Sequence, residues 1–358
     1  MRILIAGGGT GGHLFPGIAV AQAFLQEYPQ AELLFVGSPF GIEARMVPNL
    51  GYALKLLPVA GLRGKGLKSL IEAGWRIPYS VLKALWIVAS FRPSAAISCG
   101  GYAAGPAVFA AWVLRVPCFV LEQNAVPGMT NRILSRFARK VLASLPIPGF
   151  AESKVVVTGN PVRAEMLTVR EHDQSEGDVG VLRILIFGGS QGARVLNETM
   201  PLVLKELLDR KVEIQIWHQA GRNQADGVRK VYDLAGGLVK VVDFIEDMSE
   251  AYGWAELVVC RAGATSIAEL TVTGRPSVLI PFPFAVDDHQ TANAMTLVEA
   301  GAALHLAQKD LSPEKLADLI EHLANDRSRL RNMAEASIRI GCPAAASKIV
   351  DEIKREIS

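Results

Sequence analysis

Hydrophobic residues in this chain gather in short unbroken runs instead of alternating with polar ones. Ile3-Leu4-Ile5-Ala6, Leu33-Leu34-Phe35-Val36, Ala95-Ala96-Ile97 and Cys118-Phe119-Val120-Leu121 mark the first half. The second half continues with Ile184-Leu185-Ile186-Phe187, Ile214-Gln215-Ile216-Trp217, Val239-Lys240-Val241-Val242, Leu257-Val258-Val259-Cys260 and Ser277-Val278-Leu279-Ile280. A strand covered on both faces needs a continuous apolar run, whereas a half-solvated strand alternates. Between the runs lie segments with helical spacing, among them Ile18 to Leu25 and Val195 to Leu208. Strands and helices in alternation predict parallel sheets assembled from βαβ units.

The chain also resembles itself. Arg2-Ile3-Leu4-Ile5-Ala6-Gly7-Gly8 recurs as Arg183-Ile184-Leu185-Ile186-Phe187-Gly188-Gly189. Each copy is a strand, a glycine-rich loop and a helix, the opening of a βαβ unit. Two openings half a chain apart predict two Rossmann-like, doubly wound α/β domains, 1–162 and 163–342, and a length of 358 residues suits two. The acidic stretch from Arg170 to Gly180 reads as a linker or as the start of the second domain. Pro343 interrupts one helical pattern, and Ala344 to Ile357 begins another, so 343–358 is expected to form a last helix returning to the first domain.

Composition narrows the class. Half the residues are hydrophobic and 20% are charged, which excludes disorder, and a net charge of +2 argues against broad nucleic-acid binding. The four cysteines, Cys99, Cys118, Cys260 and Cys342, form no C-x-x-C pair and read as reduced thiols in a cytosolic protein. The first residues lack the apolar core of a secretory signal. The longest apolar stretch, Ala103 to Leu121, is broken by Pro106, Arg115 and Pro117, so a soluble or peripheral protein is expected.

The chemistry lies in loops that follow strands. Gly7-Gly8-Gly9-Thr10-Gly11-Gly12 satisfies G-x-G-x-x-G, whose exposed backbone can approach an anion at a helix N-terminus. A dinucleotide site also requires an acidic residue at the end of the second strand, and Val36-Gly37-Ser38-Pro39 has none, which weakens an oxidoreductase reading. His13 follows the loop directly, placed as a neutral proton acceptor or, more plainly, as a turn residue. Gly100 to Pro106, including Tyr102, and Glu122-Gln123-Asn124 follow two further strands and present polar groups for an acceptor sugar. In the second half, Gly188 to Arg194 with Ser190 suits a diphosphate. The 261–269 loop, with Ala264, Thr265, Ser266, Ile267 and Ala268, exposes backbone, and Glu269 either grips a ribose or serves as a first-turn carboxylate. Asp288, Gln290 and Asn293 offer partners for sugar hydroxyls. No D-x-D occurs and His289 has no spaced partner, so no metal site is evident; a free divalent cation remains compatible with a diphosphate leaving group.

Taken together, these residues resemble the GT-B glycosyltransferases, and within them the family 28 enzymes that use UDP-N-acetylglucosamine. The motifs span essentially the whole chain: Gly8 to His13 with Pro16, Gly100 to Pro106, Glu122 to Asn124, Gly159-Asn160-Pro161-Val162-Arg163, Gly188 to Ala193, 261–269, and Asp288 to Asn293. One departure is visible, because the family's Ala-Leu-Thr is here Ala264-Thr265-Ser266. The resemblance implies two domains facing each other across a cleft. It implies inverting transfer of GlcNAc to the C4 hydroxyl of MurNAc in undecaprenyl-pyrophosphoryl-MurNAc-pentapeptide, a step of peptidoglycan synthesis, with no tightly bound cofactor. It implies that Thr10, Gly11, Gly12, Asn124, Arg163, Ser190, Ile245 and Gln290 contact the donor, with Ile245 holding uracil through its backbone, Glu269 the ribose, and Ala264 to Ser266 the sugar and phosphates. His13 is the implied base, with Glu122 and Asn124 beside it. A sugar-nucleotide epimerase and a non-catalytic nucleotide-sugar-binding module are the alternatives.

A lipid-linked acceptor implies a peripheral place on the cytoplasmic face of the membrane, with anionic lipid and possible wall-synthesis proteins as partners. Leu62 to Val88 carries Leu70, Trp75, Tyr79, Leu82 and Trp86 among Lys68, Lys83 and further basic residues. An apolar face rimmed by cations suits an interfacial helix, although a core helix with a solvated rim has the same pattern.

Overall fold

The computed structural model describes residues 1–59, 67–169, 180–189, 192–232 and 237–357, with the backbone alone over 67–77. Residues 170–179 of the expected linker, residues 60–66, Ser190 and Gln191 lie outside the described residues. The chain divides into two compact units, Met1–Arg163 with Cys342–Ser358, and Ala164–Gly341.

In the first unit the strands are β1 (Arg2–Gly7), β2 (Glu32–Gly37), β3 (Ala53–Leu56), β4 (Ala95–Gly100), β5 (Cys118–Glu122), β6 (Lys140–Ala143) and β7 (Val155–Val157). They form one parallel sheet in the order β3-β2-β1-β4-β5-β6-β7. Its helices include α1 (Gly11–Glu27), α2 (Glu43–Asn49), α3 (Leu67–Phe91), α4 (Ala104–Val113) and α5 (Met129–Leu134). Successive residues of a strand point to opposite faces, and both faces are covered. Ile3 and Ile5 join Leu14, Ile18 and Phe24 of α1 on one side. Leu4 and Ala6 join Ala107, Val108 and Ala111 of α4 on the other. The helix Ala345–Ile357 adds Ile349, Val350 and Ile353 to the α1 side, so the end of the chain completes the core of its beginning.

The second unit repeats the plan with β8 (Leu182–Phe187), β9 (Ile214–Gln219), β10 (Val239–Val242), β11 (Leu257–Cys260), β12 (Ser277–Leu279) and β13 (Ala303–His305), all parallel, in the order β10-β9-β8-β11-β12-β13. In each sheet the winding direction reverses beside the first strand, between β1 and β4 and between β8 and β11. Loops at the carboxyl ends of those strands form the crevice where such sheets take ligands.

Four strands, β3, β6, β7 and β13, are absent from the hydrophobic runs of the sequence. β3 and β7 are edge strands, with partly exposed residues throughout, and none of the four exceeds four residues. Cys99, Cys118 and Cys260 are buried, and burial pushes the Cys99 and Cys118 thiols up to about 12. His218 is enclosed within β9, its Nδ1 2.9 Å from Tyr232 Oη and its Nε2 3.1 Å from Asn197 Oδ1. Desolvation lowers its pKa to about 3, so the ring is neutral and bonded at both nitrogens.

Candidate functional site

In the first unit the expected residues converge on the switch point. His13 is the third residue of α1, which the glycine loop after β1 leads into. Its Nδ1 lies 3.4 Å from Thr10 Oγ1, and its backbone N–H donates to Thr10 O at 3.3 Å. The ring packs against Gly100 at the end of β4. The two glycine loops touch through their backbones: a Cβ on Gly101 would stand 2.4 Å from Gly8 O. Gly11 and Gly12 are half-buried in the first turn of α1, and Tyr102, beside Gly101, is exposed.

Glu122 ends β5 with a buried carboxylate. Its Oε1 accepts from Asn124 N at 3.1 Å and Asn124 Nδ2 at 3.3 Å; its Oε2 accepts from Gly128 N at 3.1 Å and Asn131 Nδ2 at 2.9 Å. Asn131 Oδ1 in turn accepts from Ser98 Oγ at 2.9 Å, and Ser98 Oγ accepts from Gly100 N at 3.3 Å. A hydrogen-bonded chain therefore runs from Glu122 to the glycine against which His13 rests. Both oxygens of Glu122 face the protein, the arrangement of a group that shapes the loop rather than one that reacts. Asn124, half-buried, occupies the loop it shapes. Asn131 escaped the sequence reading because a single asparagine within a short helix carries no signature.

Glu43 escaped it too. The acidic residue sought at the end of β2 is absent there, but Glu43, at the start of α2, turns inward to the glycine loop. Its Oε2 accepts from Gly9 N and its Oε1 from Ser38 N, each at 2.8 Å. Arg163, at the end of the first unit, holds its guanidinium carbon 4.6 Å from the centre of the Phe15 ring on α1.

In the second unit Gln219 links two expected elements. At the end of β9, with its side chain buried, it donates from Nε2 to Gly189 O at 3.0 Å and accepts at Oε1 from Ile245 N at 2.9 Å. The Ile245 N–H thus already has a partner within the fold. The loop after β11 runs into the helix Ala264–Thr273, with Gly263 as its cap. Glu269 is buried on that helix, and Tyr252 Oη donates to its Oε2 at 3.2 Å. Thr265 Oγ1 is buried with no hydrogen-bond partner among the described residues; Ser266 and Ile267 are half-buried and Ala268 buried.

Of the remaining expected residues, Asn293 braces this loop and Gln290 the segment after β12. Asn293 Nδ2 donates to Ala262 O at 3.1 Å, and Gln290 Oε1 accepts from Phe282 N at 2.9 Å. Arg261, unassigned from sequence, donates to the Ile280 and Pro281 carbonyls at 3.0 Å and to Gln308 Oε1 at 2.7 Å, and desolvation lowers its pKa. No cluster of three His, Cys, Asp or Glu residues with metal-binding geometry occurs among the described residues.

On α3, Tyr79, Leu82 and Trp86 are 51%, 66% and 64% exposed, while Ala84, Ile87 and Val88 are buried in the core. The core therefore takes a different face from the one carrying these aromatics. Lys83 is exposed beside them. The side chains of Lys68, Leu70 and Trp75 lie outside the described residues. No helix among the described residues is long and apolar enough to cross a membrane.

Comparison with known proteins agrees with the fold of the two units. The family model for the glycosyltransferase family 28 N-terminal domain matches residues 3–143, and that for the family 28 C-terminal domain matches 183–354. A relative from Myxococcus xanthus (strain DK1622), 45% identical across 98% of this chain and 92% of its own length, is named UDP-N-acetylglucosamine--N-acetylmuramyl-(pentapeptide) pyrophosphoryl-undecaprenol N-acetylglucosamine transferase. One of the same name from Geobacter sulfurreducens is 44% identical across 99% of this chain and 98% of its own. The crystal structure of Acinetobacter baumannii MurG covers 99% of both chains at 35% identity with a TM-score of 0.79. A putative UDP-N-acetylglucosamine 2-epimerase from Listeria monocytogenes shares the fold at 14% identity and a TM-score of 0.73. With both family models matched in order and relatives of such identity over nearly its full length, this chain belongs to glycosyltransferase family 28.

Proposed function

We propose that this protein transfers N-acetylglucosamine from UDP-N-acetylglucosamine to the C4 hydroxyl of the MurNAc residue in undecaprenyl-pyrophosphoryl-MurNAc-pentapeptide. The observation that carries the reading is the near-full-length likeness to relatives named for that transfer, 45% identical in the first case.

The donor belongs to the second unit. Glu269, oriented by a hydrogen bond from Tyr252, takes the ribose hydroxyls, and Ile245 holds the uracil ring through its backbone. The diphosphate meets the start of the helix Ala264–Thr273, whose N–H groups favour negative charge, together with the Gly188–Ser190 loop. Gln290 and Asn293 keep the surrounding loops in place, and Arg163 adds a cation for the donor. The acceptor belongs to the first unit. In the tautomer whose Nδ1–H donates to Thr10 Oγ1, His13 accepts the proton of the C4 hydroxyl at Nε2. As the hydroxyl oxygen bonds to the anomeric carbon, its proton passes to Nε2 and the bond to the diphosphate breaks. UDP departs with the electron pair, and attack from the opposite side inverts the centre to a β-1,4 link. Glu122 and Asn131 hold the loop of Asn124 beside this base. The chain's own groups supply binding and charge stabilisation, with no resident cofactor, and the exposed face of α3 seats the protein on the anionic, cytoplasmic surface of the membrane where a lipid-linked acceptor resides.

The test is transfer of labelled GlcNAc to a short-chain lipid-linked MurNAc-peptide, with UDP-GalNAc and UDP-glucose as competing donors. A labelled disaccharide and stoichiometric UDP are expected. Release of UDP with an epimerised sugar in the absence of acceptor would replace this reading with the epimerase one.

A further inference from the structure

We propose that Glu43 is a positioning residue for His13, an internal anion that fixes the first glycine loop and, through it, the orientation of the imidazole. The proposal rests on the reading of His13 as the base only in its kinetic arm.

Three features set this carboxylate apart. It is 1% exposed, although nothing at the start of a seven-residue surface helix requires burial. Both oxygens accept backbone N–H groups, from Gly9 and from Ser38, at 2.8 Å. The space around it is shaped by three glycines, one in the first glycine loop, one ending β2 and one in the connection from β2 to α2. A Cβ would come within 2.2 Å of Glu43 Oε1 at Gly8, 2.4 Å of its Cγ at Gly37 and 2.0 Å of its Oε2 at Gly41. No other residue type fits at those positions while Glu43 is in place. The seat is the one an external phosphate takes in dinucleotide-binding glycine loops, where a loop N–H points at the anion. Here the protein supplies the anion itself, so the Gly9 amide is directed inward and away from substrate.

The consequence reaches His13 by two routes. Gly9 precedes Thr10, whose hydroxyl meets His13 Nδ1 and whose carbonyl accepts from His13 N. Gly8 O bears on Gly101, next to the Gly100 that supports the imidazole ring. Glu43 therefore holds both loops between which the ring is set. Charged hydrogen bonds of this kind are shorter and stronger than neutral ones, and their loss leaves a buried N–H without an acceptor. Glu43→Gln keeps the volume but turns an amide NH2 towards one of two N–H donors.

Two readouts test the proposal on the full chain. In Glu43→Gln the NMR signals of the His13 ring should shift or broaden relative to wild type at the same pH. Turnover should fall about ten- to hundredfold, the span of a lost charged hydrogen bond, with UDP affinity within about twofold of wild type. In Glu43→Gln/His13→Ala the rate should be no lower than in His13→Ala alone, because a residue that acts through His13 has nothing further to lose. Ring signals that coincide with wild type, or losses that multiply in the double variant, would overturn it. If His13→Ala turns over normally, the base assignment falls while the ring signals still decide the role of Glu43. Should Glu43→Gln fail to fold, Glu43→Asp, which keeps the charge but cannot span Gly9 and Ser38 together, is read in the same way.

Discussion

The ring of His13 fills the space that a side chain at position 100 would need: a methyl group on Gly100 would stand 2.8 Å from His13 Cδ2 and 3.1 Å from Nε2. Gly100 also has a φ of +89°, a region that L side chains rarely adopt. Gly100→Ala should displace the imidazole and lower kcat by about tenfold or more, since sub-ångström placement governs proton transfer. UDP binding, which rests mainly on Glu269, Ile245 and the start of the helix Ala264–Thr273, should change far less. Steady-state kinetics beside calorimetric titration with UDP separates the two effects.

The hydrogen bond from Tyr252 Oη to Glu269 Oε2, 3.2 Å long, orients the carboxylate assigned to the ribose. Tyr252→Phe should weaken UDP binding about three- to tenfold and leave kcat at saturating donor nearly unchanged, because the bond serves ground and transition states alike. Glu269→Gln should lose more. Titration calorimetry with UDP ranks the three proteins.

His218 makes stability depend on pH. Its folded pKa is lowered from 6.5 to about 3, so between those values the unfolded chain binds a proton that the folded protein refuses. Stability is fully present above pH 6.5 and falls as the pH drops through this window, by about 1.4 kcal/mol per unit. Urea unfolding at pH 7 and pH 5 should show wild type losing about 2 kcal/mol more than His218→Gln over that interval.

The exposed face of α3 leads to a prediction about lipid. Leu82→Glu and Trp86→Glu should each reduce co-sedimentation with vesicles rich in anionic lipid. Lys83→Gln should lower affinity about fivefold for anionic vesicles and leave neutral ones unaffected, as the loss of one charge at about 1 kcal/mol implies. Equal binding of wild type and all three variants would return this face to plain solvent exposure.

How much of this was legible beforehand follows from the distance over which each signal acts. The runs that form β1, β4, β8 and β11 lie at the centres of their sheets, where burial on both faces writes a continuous apolar word. β3 and β7 lie at an edge, where polar residues are tolerated and the word dissolves. At the site, the glycine loops and His13 are neighbours in sequence and were visible as a motif. Glu43 bonds to a residue 34 positions away, and Gln219 to one 26 positions away, so their roles arise only once register and topology bring them together. Glu122 was legible as a residue but not as an arrangement: nothing in Glu122-Gln123-Asn124 foretells that one oxygen is held by Asn124 while the other takes Gly128 and Asn131.

The seam at Cys342 has a consequence for anyone dissecting the molecule. Because Ile349, Val350 and Ile353 belong to the hydrophobic interior of Met1–Arg163, a truncation upstream of residue 342 strips the piece remotest from the cut. A fragment ending at Arg163 would carry bare apolar surface on α1, and a stable excised amino-terminal piece has to be spliced to the closing helix first.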